Sequence, residues 1–212
     1  MLPEITIRIL AATMAVCHAG AWVLASRWMR AGKTATLRAR FGTEKDRGRR
    51  VLSVAGDVAL VAVLVYPVVV VAVPSISYGT AVDWSGSFAR GIQAFGLAAW
   101  IVGLALALWS TRTLGRYVAV DGVAVDHELV THGPYAWIRH PLYTAFIWIG
   151  FGAALLFVSY LILALAALIA ANALQWARIE ERLFSSSSGF GASYRVYMER
   201  TGRFLPRRGA SR

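Results

Sequence analysis

The sequence predicts an all-α integral membrane bundle of about five transmembrane helices, the last two forming a helical hairpin. Three observations predict it. The chain of 212 residues is 58% hydrophobic and only 16% charged, whereas a soluble domain is about 45–50% apolar and about 25% charged. Four long apolar stretches occur. The net charge of +11 is concentrated between those stretches and after them.

The first stretch is Ile5 to Ala25, broken by Arg8 and His18. The second is Val51 to Val73, with Asp57 as its one charge. The third is Gly91 to Ser110, without charge. Each fits one crossing of the hydrocarbon core, which takes about 20 apolar residues. The fourth, Tyr143 to Trp176, has 34 uncharged residues. At about 1.5 Å per residue that is too long for one straight span and short for two full ones. A tight turn at Ser159-Tyr160 makes it a hairpin. On the third helix Gly96, Ala99, Gly103 and Ala107 share a face, which suits close helix packing. Asp57 is costly inside a span, so it belongs toward the bundle interior, a polar cavity or the membrane interface.

Charge placement sets the expected orientation. Arg27 to Arg50 carries nine basic and two acidic residues, and Arg195 to Arg212 six basic and one acidic. The positive-inside rule puts both segments in the cytoplasm and the N-terminus outside. That requires an odd number of crossings, in agreement with five. The basic residues follow the first apolar run, unlike a cleaved signal peptide. Arginine outnumbers lysine 20 to 2, a weak pointer to a prokaryotic inner membrane. The domain organisation expected is three helices over 1–110 with a basic loop at 27–50, a functional region over 111–206 with the hairpin at 143–176, and a disordered basic tail at 207–212. Ser185 to Ser188 reads as a flexible insertion. Cys17 reads as a buried, inert thiol, because one cysteine permits neither an internal disulfide nor a cysteine metal cluster.

Chemistry concentrates between the third helix and the hairpin. There the chain reads His127-Glu128-Leu129-Val130-Thr131-His132-Gly133-Pro134-Tyr135-Ala136-Trp137-Ile138-Arg139-His140-Pro141-Leu142-Tyr143. Pro134 and Pro141 stop regular helix, and Gly133 permits a turn. The expected result is a structured loop holding Tyr135, Arg139, His140 and Tyr143 at the membrane face. After the hairpin comes Arg178-Ile179-Glu180-Glu181-Arg182. Adjacent carboxylates lie about 100° apart on a helix, so one faces inward while the other is solvated. A plain solvated helix end with pairing of residues four apart also accounts for this run. His18 reads as a core histidine and His132 as solvated. Trp137, Trp148 and Trp176 read as boundary residues.

These motifs, with Phe190-Gly191-x-x-Tyr194-x-x-Tyr197 and Arg203-Phe204-Leu205-Pro206, resemble the isoprenylcysteine carboxyl methyltransferases and the related phospholipid methyltransferases. The resemblance runs from about Leu114 to Pro206. It implies S-adenosyl-L-methionine as methyl donor in a cytoplasmic cofactor pocket. It further implies backbone contacts from His127, Glu128, Leu129 and Val130, and cofactor-lining roles for Tyr135, His140, Tyr143 and Glu180. Arg178 is the nearest match to an arginine that holds a substrate carboxylate, although it sits only two residues before Glu180. Arg139 and Glu181 complete the expected catalytic set, and no metal is expected. Glu180 suits the cofactor ammonium, and Arg139 its carboxylate. The expected partners are a lipophilic small-molecule acceptor and membrane lipids, with no nucleic acid. The number of copies is left open. A membrane NADPH-dependent reductase of the sterol reductase kind, or a non-enzymatic membrane protein, is the alternative.

Overall fold

The computed structural model describes residues 1–30, 36–40, 47–77, 87–119 and 122–207. Six helices carry the fold: α1 (Glu4–Met29), α2 (Arg47–Ala72), α3 (Ser87–Leu114), α4 (Pro141–Leu156), α5 (Tyr160–Ser185) and α6 (Ala192–Arg200). Among the described residues α1, α2, α3 and α5 are long and apolar enough to cross a membrane, and α4 is a shorter apolar helix. The fourth apolar stretch is thus a hairpin, as expected. Its turn falls at Phe157 to Ser159, and Ser159 caps α5 by accepting a hydrogen bond from the Ile162 amide. α5 runs 26 residues, well past Trp176, and so carries Glu180 and Glu181.

The chain is an integral membrane protein, and its long helices α1, α2, α3 and α5 are apolar. On α2, Val51, Val54, Val58, Val61, Val65 and Val68 are exposed, while Ala59, Val63, Tyr66 and Val70 face the core. The exposed valines recur every three or four residues, which is one continuous stripe for lipid.

α3 and α4 meet backbone to backbone. A Cβ on Gly96 would lie 2.8 Å from the Gly152 carbonyl oxygen, and one on Gly103 would lie 2.9 Å from the Ala145 carbonyl oxygen. The small face of α3 therefore does what its spacing suggests. The buried Gln93 of α3 donates to the Leu156 carbonyl at 3.0 Å and accepts from the Leu2 amide. It thereby satisfies a terminal carbonyl of α4 that the helix leaves open.

His18 is a structural histidine. Its Nδ1 lies 3.0 Å from the Leu64 carbonyl oxygen, and its Nε2 accepts from Trp100 Nε1 at 3.0 Å. Pro67 lies inside α2 and lacks the amide that would bond the Val63 carbonyl, one residue before Leu64. Cys17 is half-buried and packs against the same core. His132 is exposed.

One element has no counterpart in the sequence-based expectation. Strand β1 (Leu37–Arg40) from the basic loop pairs antiparallel with β2 (Gly122–Ala124). The functional region and the first loop are therefore tied together. Ser186 to Gly189 forms a compact turn instead of a loose insertion. The Gly189 amide donates to Ser186, and the Phe190 amide reaches back to Phe184. Of the expected tail, Arg207 is described and donates to the Glu199 carbonyl; residues 208–212 lie outside the described residues. So do most of the basic loop (31–35 and 41–46) and the connection 78–86.

Candidate active site

The segment before α4 is shaped by its glycine and prolines. Gly133 has φ +60°, a conformation that costs other residues about 1–2 kcal/mol. It opens the short 3-10 turn Gly133–Ala136. Pro141 begins α4, where its missing N–H costs nothing. Between them the chain is extended and pairs with the C-terminal segment. The Arg139 amide donates to Gly202 at 2.8 Å, and the His140 amide donates to Arg203 at 3.1 Å. Thr144 Oγ1 donates to the Phe204 carbonyl at 3.0 Å. The motif at 203–206 is therefore the strap that holds Arg139 and His140 in place. Tyr197 Oη adds a bond to the Tyr135 carbonyl at 2.6 Å.

A cavity of about 220 Å³ opens over this segment. His127, Leu129, Val130, Tyr135, Arg139, His140, Tyr143 and Glu180 all line it. Eight of the eleven expected site residues thus converge on one place. Its aromatic back wall is Tyr117, Phe184, Phe190 and Tyr194; the sequence reading singled out Phe190 and Tyr194 as motif residues without a site role, and it missed Tyr117 and Phe184. The Tyr194 hydroxyl is buried there without a hydrogen-bond partner. His127 stacks on Tyr117 at 3.9 Å between ring centres.

The other three expected residues are placed differently. Glu128 is exposed and outside the cavity. Arg178 is exposed and lines neither this cavity nor the two that adjoin it. Helix geometry gives the reason. Ile169, Asn172, Ala173, Trp176 and Glu180 form the inward face of α5, and a residue two before Glu180 points about 200° away. Glu181 is 7% exposed and does not line the cavity. The expectation that one of the paired carboxylates is solvated therefore fails, and both face protein. Glu181 finds cations on that side. Arg139 Nε donates to its Oε1 at 2.9 Å, and Arg203 Nε to both oxygens at 3.1 Å. Arg139 Nη1 also donates to the Met198 carbonyl at 3.1 Å.

His140 bridges the two carboxylates. Its Nδ1 is 3.2 Å from Glu180 and its Nε2 is 3.3 Å from Glu181. Burial works against the imidazolium, but hydrogen bonds to Glu180 and Glu181, and their charges, outweigh it and raise the His140 pKa. Protonated His140 can donate from both nitrogens. Tyr143 Oη donates to the other oxygen of Glu180. Burial first, then the Glu180 charge, pushes the Tyr135 phenol pKa upward, so it stays a donor. Burial does the same to Tyr194.

A second cavity, of about 320 Å³, lies between α2 and α5 and shares Val118, Tyr143 and Glu180 with the first. A third, apolar cavity of about 220 Å³ lies among α1 to α4 and shares Val118 and Leu142 with the first. Among the described residues no group of three or more His, Cys, Asp or Glu side chains forms a metal site.

Comparison with known proteins covers the same part of the chain. Residues 92–187 match the family model "Phospholipid methyltransferase". The chain is 32% identical over 85 residues to Protein-S-isoprenylcysteine O-methyltransferase of Tribolium castaneum, covering 38% of this chain and 28% of that relative. The match thus spans less than a third of the relative's length. Residues 92–187, which carry most of α3, the Arg139-His140-Pro141 segment, the hairpin and Glu180-Glu181, are thus the part of the chain that is similar to the isoprenylcysteine and phospholipid methyltransferases.

Proposed function

We propose that this protein is a membrane methyltransferase that moves a methyl group from S-adenosyl-L-methionine to a lipophilic acceptor. The observation that carries this reading is the convergence of Tyr135, Arg139, His140, Tyr143 and Glu180 on one aromatic-walled cavity beside the membrane helices. The donor set fits the cofactor. It combines a carboxylate, aromatic faces suited to a sulfonium or an adenine, and a buried phenol with an unused hydroxyl, Tyr194. The cofactor, when bound, supplies an activated methyl group.

The chain's own residues do the rest. Glu180, oriented by Tyr143 and His140, holds a positive group. Arg139, fixed by Glu181, Met198 and Thr201, lends positive potential to the cavity wall. The aromatic wall excludes water and aligns the reactants, which is the larger part of what a methyl transfer asks of a protein. The apolar third cavity, walled by side chains such as Trp22, Leu64, Leu104 and Phe146, suits a hydrocarbon tail. The site faces the cytoplasm in this reading, with the N-terminus outside.

Calorimetry on detergent-purified protein tests the reading. S-adenosylmethionine and its demethylated product should both bind, and NADPH should not. Glu180→Gln should weaken cofactor binding by about tenfold or more, the scale of a lost charge-assisted hydrogen bond, with the unfolding temperature kept. Binding of NADPH alone overturns the proposal.

A further inference from the structure

The three cavities meet at Val118. Among the described residues it alone lines all of them. It follows Tyr117, whose ring stacks on His127 and whose hydroxyl donates to the Asp126 carbonyl at 2.7 Å, so its place is fixed from the side of the candidate cofactor cavity. Two walls separate that cavity from its neighbours. Toward the cavity between α2 and α5 the wall is Val118 with Tyr143 and Glu180. Toward the apolar cavity it is Val118 with Leu142.

The walls differ in what opening them breaks. Tyr143 Oη donates to one oxygen of Glu180, and His140 holds the other. Hydrogen bonds to a carboxylate are the strong kind. Glu180 also holds the cofactor in the methyltransferase reading, on which this inference rests. An acceptor passing there would dismantle the site it has to reach. Val118 and Leu142 are aliphatic, and they swing aside without breaking a hydrogen bond. We propose that the methyl acceptor reaches the cofactor between Val118 and Leu142, with its hydrocarbon tail left in the apolar cavity. That cavity suits a tail. His18 spends both ring nitrogens on Leu64 and Trp100, so it offers a ligand nothing polar. Trp22 lines the same cavity and is 69% exposed on the lipid side of α1, which marks an opening toward the bilayer. A void of about 220 Å³ is not much larger than the roughly 150 Å³ that takes one benzene. A long tail therefore runs on past Trp22 into lipid.

Thiol labelling at the doorway tests the inference. The full-length protein carries Cys17→Ala and Val118→Cys and sits in phosphatidylcholine nanodiscs. Two reagents are compared by mass spectrometry, decyl methanethiosulfonate and its charged trimethylammonium-ethyl counterpart. Both should label the introduced thiol, because labelling follows access. Saturating S-adenosylmethionine should slow the charged reagent at least about tenfold and leave the decyl reagent within about threefold. Ala25→Phe on α1 and, separately, Leu108→Trp on α3 put bulk into the apolar cavity alone. Each should slow the decyl reagent at least about tenfold and spare the charged one, and either carries the test if the other fails to fold. Absence of decyl labelling in folded protein that labels once unfolded overturns the doorway. So does decyl labelling that neither added side chain slows, because the tail then arrives by another route. Protection by S-adenosylmethionine with unslowed decyl labelling loses the doorway and keeps the cofactor cavity. A decyl reagent slowed by the added side chains, with no protection by S-adenosylmethionine, keeps the apolar passage and overturns the methyltransferase reading.

Discussion

Glu181 shows how much of the site is support. It touches Arg139, His140 and Arg203 at once, and it lies just behind the wall that those residues present. Removing it leaves two guanidinium groups without their anion. Glu181→Ala should therefore destabilise the protein by about 3–5 kcal/mol, the cost of breaking a buried ion pair from one side. Denaturation in detergent measures this, and a loss under about 1 kcal/mol argues against the network. His140 adds a pH dependence. Its folded pKa is raised above its unfolded value of about 6.5, so its bridge stabilises fully below that value and fades as pH rises through the folded one. Unfolding temperature should decline as pH rises above about 6.5, and His140→Gln should flatten that decline. A wild-type profile identical to the variant's refutes the bridge. The motif residues themselves were legible in the sequence. Arg203 stood among them, but its pairing with Glu181 was not legible, because it arrives through the turn at Ser186 to Gly189 and the strap at Gly202, neither of which has a periodic signature.

The helices were legible because span length and apolar character are written directly into the sequence. Their contacts were legible only where glycine marks them. Gly96 and Gly103 announced the α3 face, whereas the answering Gly152 on α4 emerged only from the packing. A Cβ on Gly152 would lie 2.5 Å from the Trp100 amide nitrogen, which is backbone and cannot swing aside. Gly152→Leu should therefore push α3 from α4 and cost about 1–3 kcal/mol or more, the penalty of overpacking. It should also loosen the cofactor cavity, because α4 carries Tyr143. Thermal unfolding and cofactor titration on one sample read both effects. Gly91, with open space around its Cβ position, is the control, and Gly91→Ala should change neither. The β1–β2 pairing escaped the sequence because strands of four and three residues are too short for an alternation to stand out.

The segments that carry the positive surplus flank one end of the helix bundle. Gln175, near the end of α5, donates to the Arg49 carbonyl at the start of α2. Tyr143, at the start of α4, meets Glu180 on α5. Trp109, near the end of α3, packs edge-on to Trp137, and β1 from the basic loop pairs with β2. The α4–α5 hairpin therefore leaves and returns at the same end as the basic segments. This matters for topology, because α4 has only 16 residues, about 24 Å at about 1.5 Å per residue, against a hydrocarbon core of about 30 Å. Whether or not α4 reaches the far interface, the hairpin adds an even number of crossings to the three before it. The two termini then lie on opposite sides. With Arg27 to Arg50 and Arg195 to Arg212 both rich in arginine, the orientation we propose from the positive-inside rule has the C-terminal end and the candidate site in the cytoplasm. A reporter that is active only in the cytoplasm should work when fused after Arg212 and fail when fused before Met1. Activity at both ends means that an even number of helices cross, and it would remove one of α1 to α3 from the crossings or split the hairpin so that only one of its helices crosses. Activity at the N-terminus alone reverses the orientation and puts the cofactor cavity on the wrong side for a cytoplasmic methyl donor.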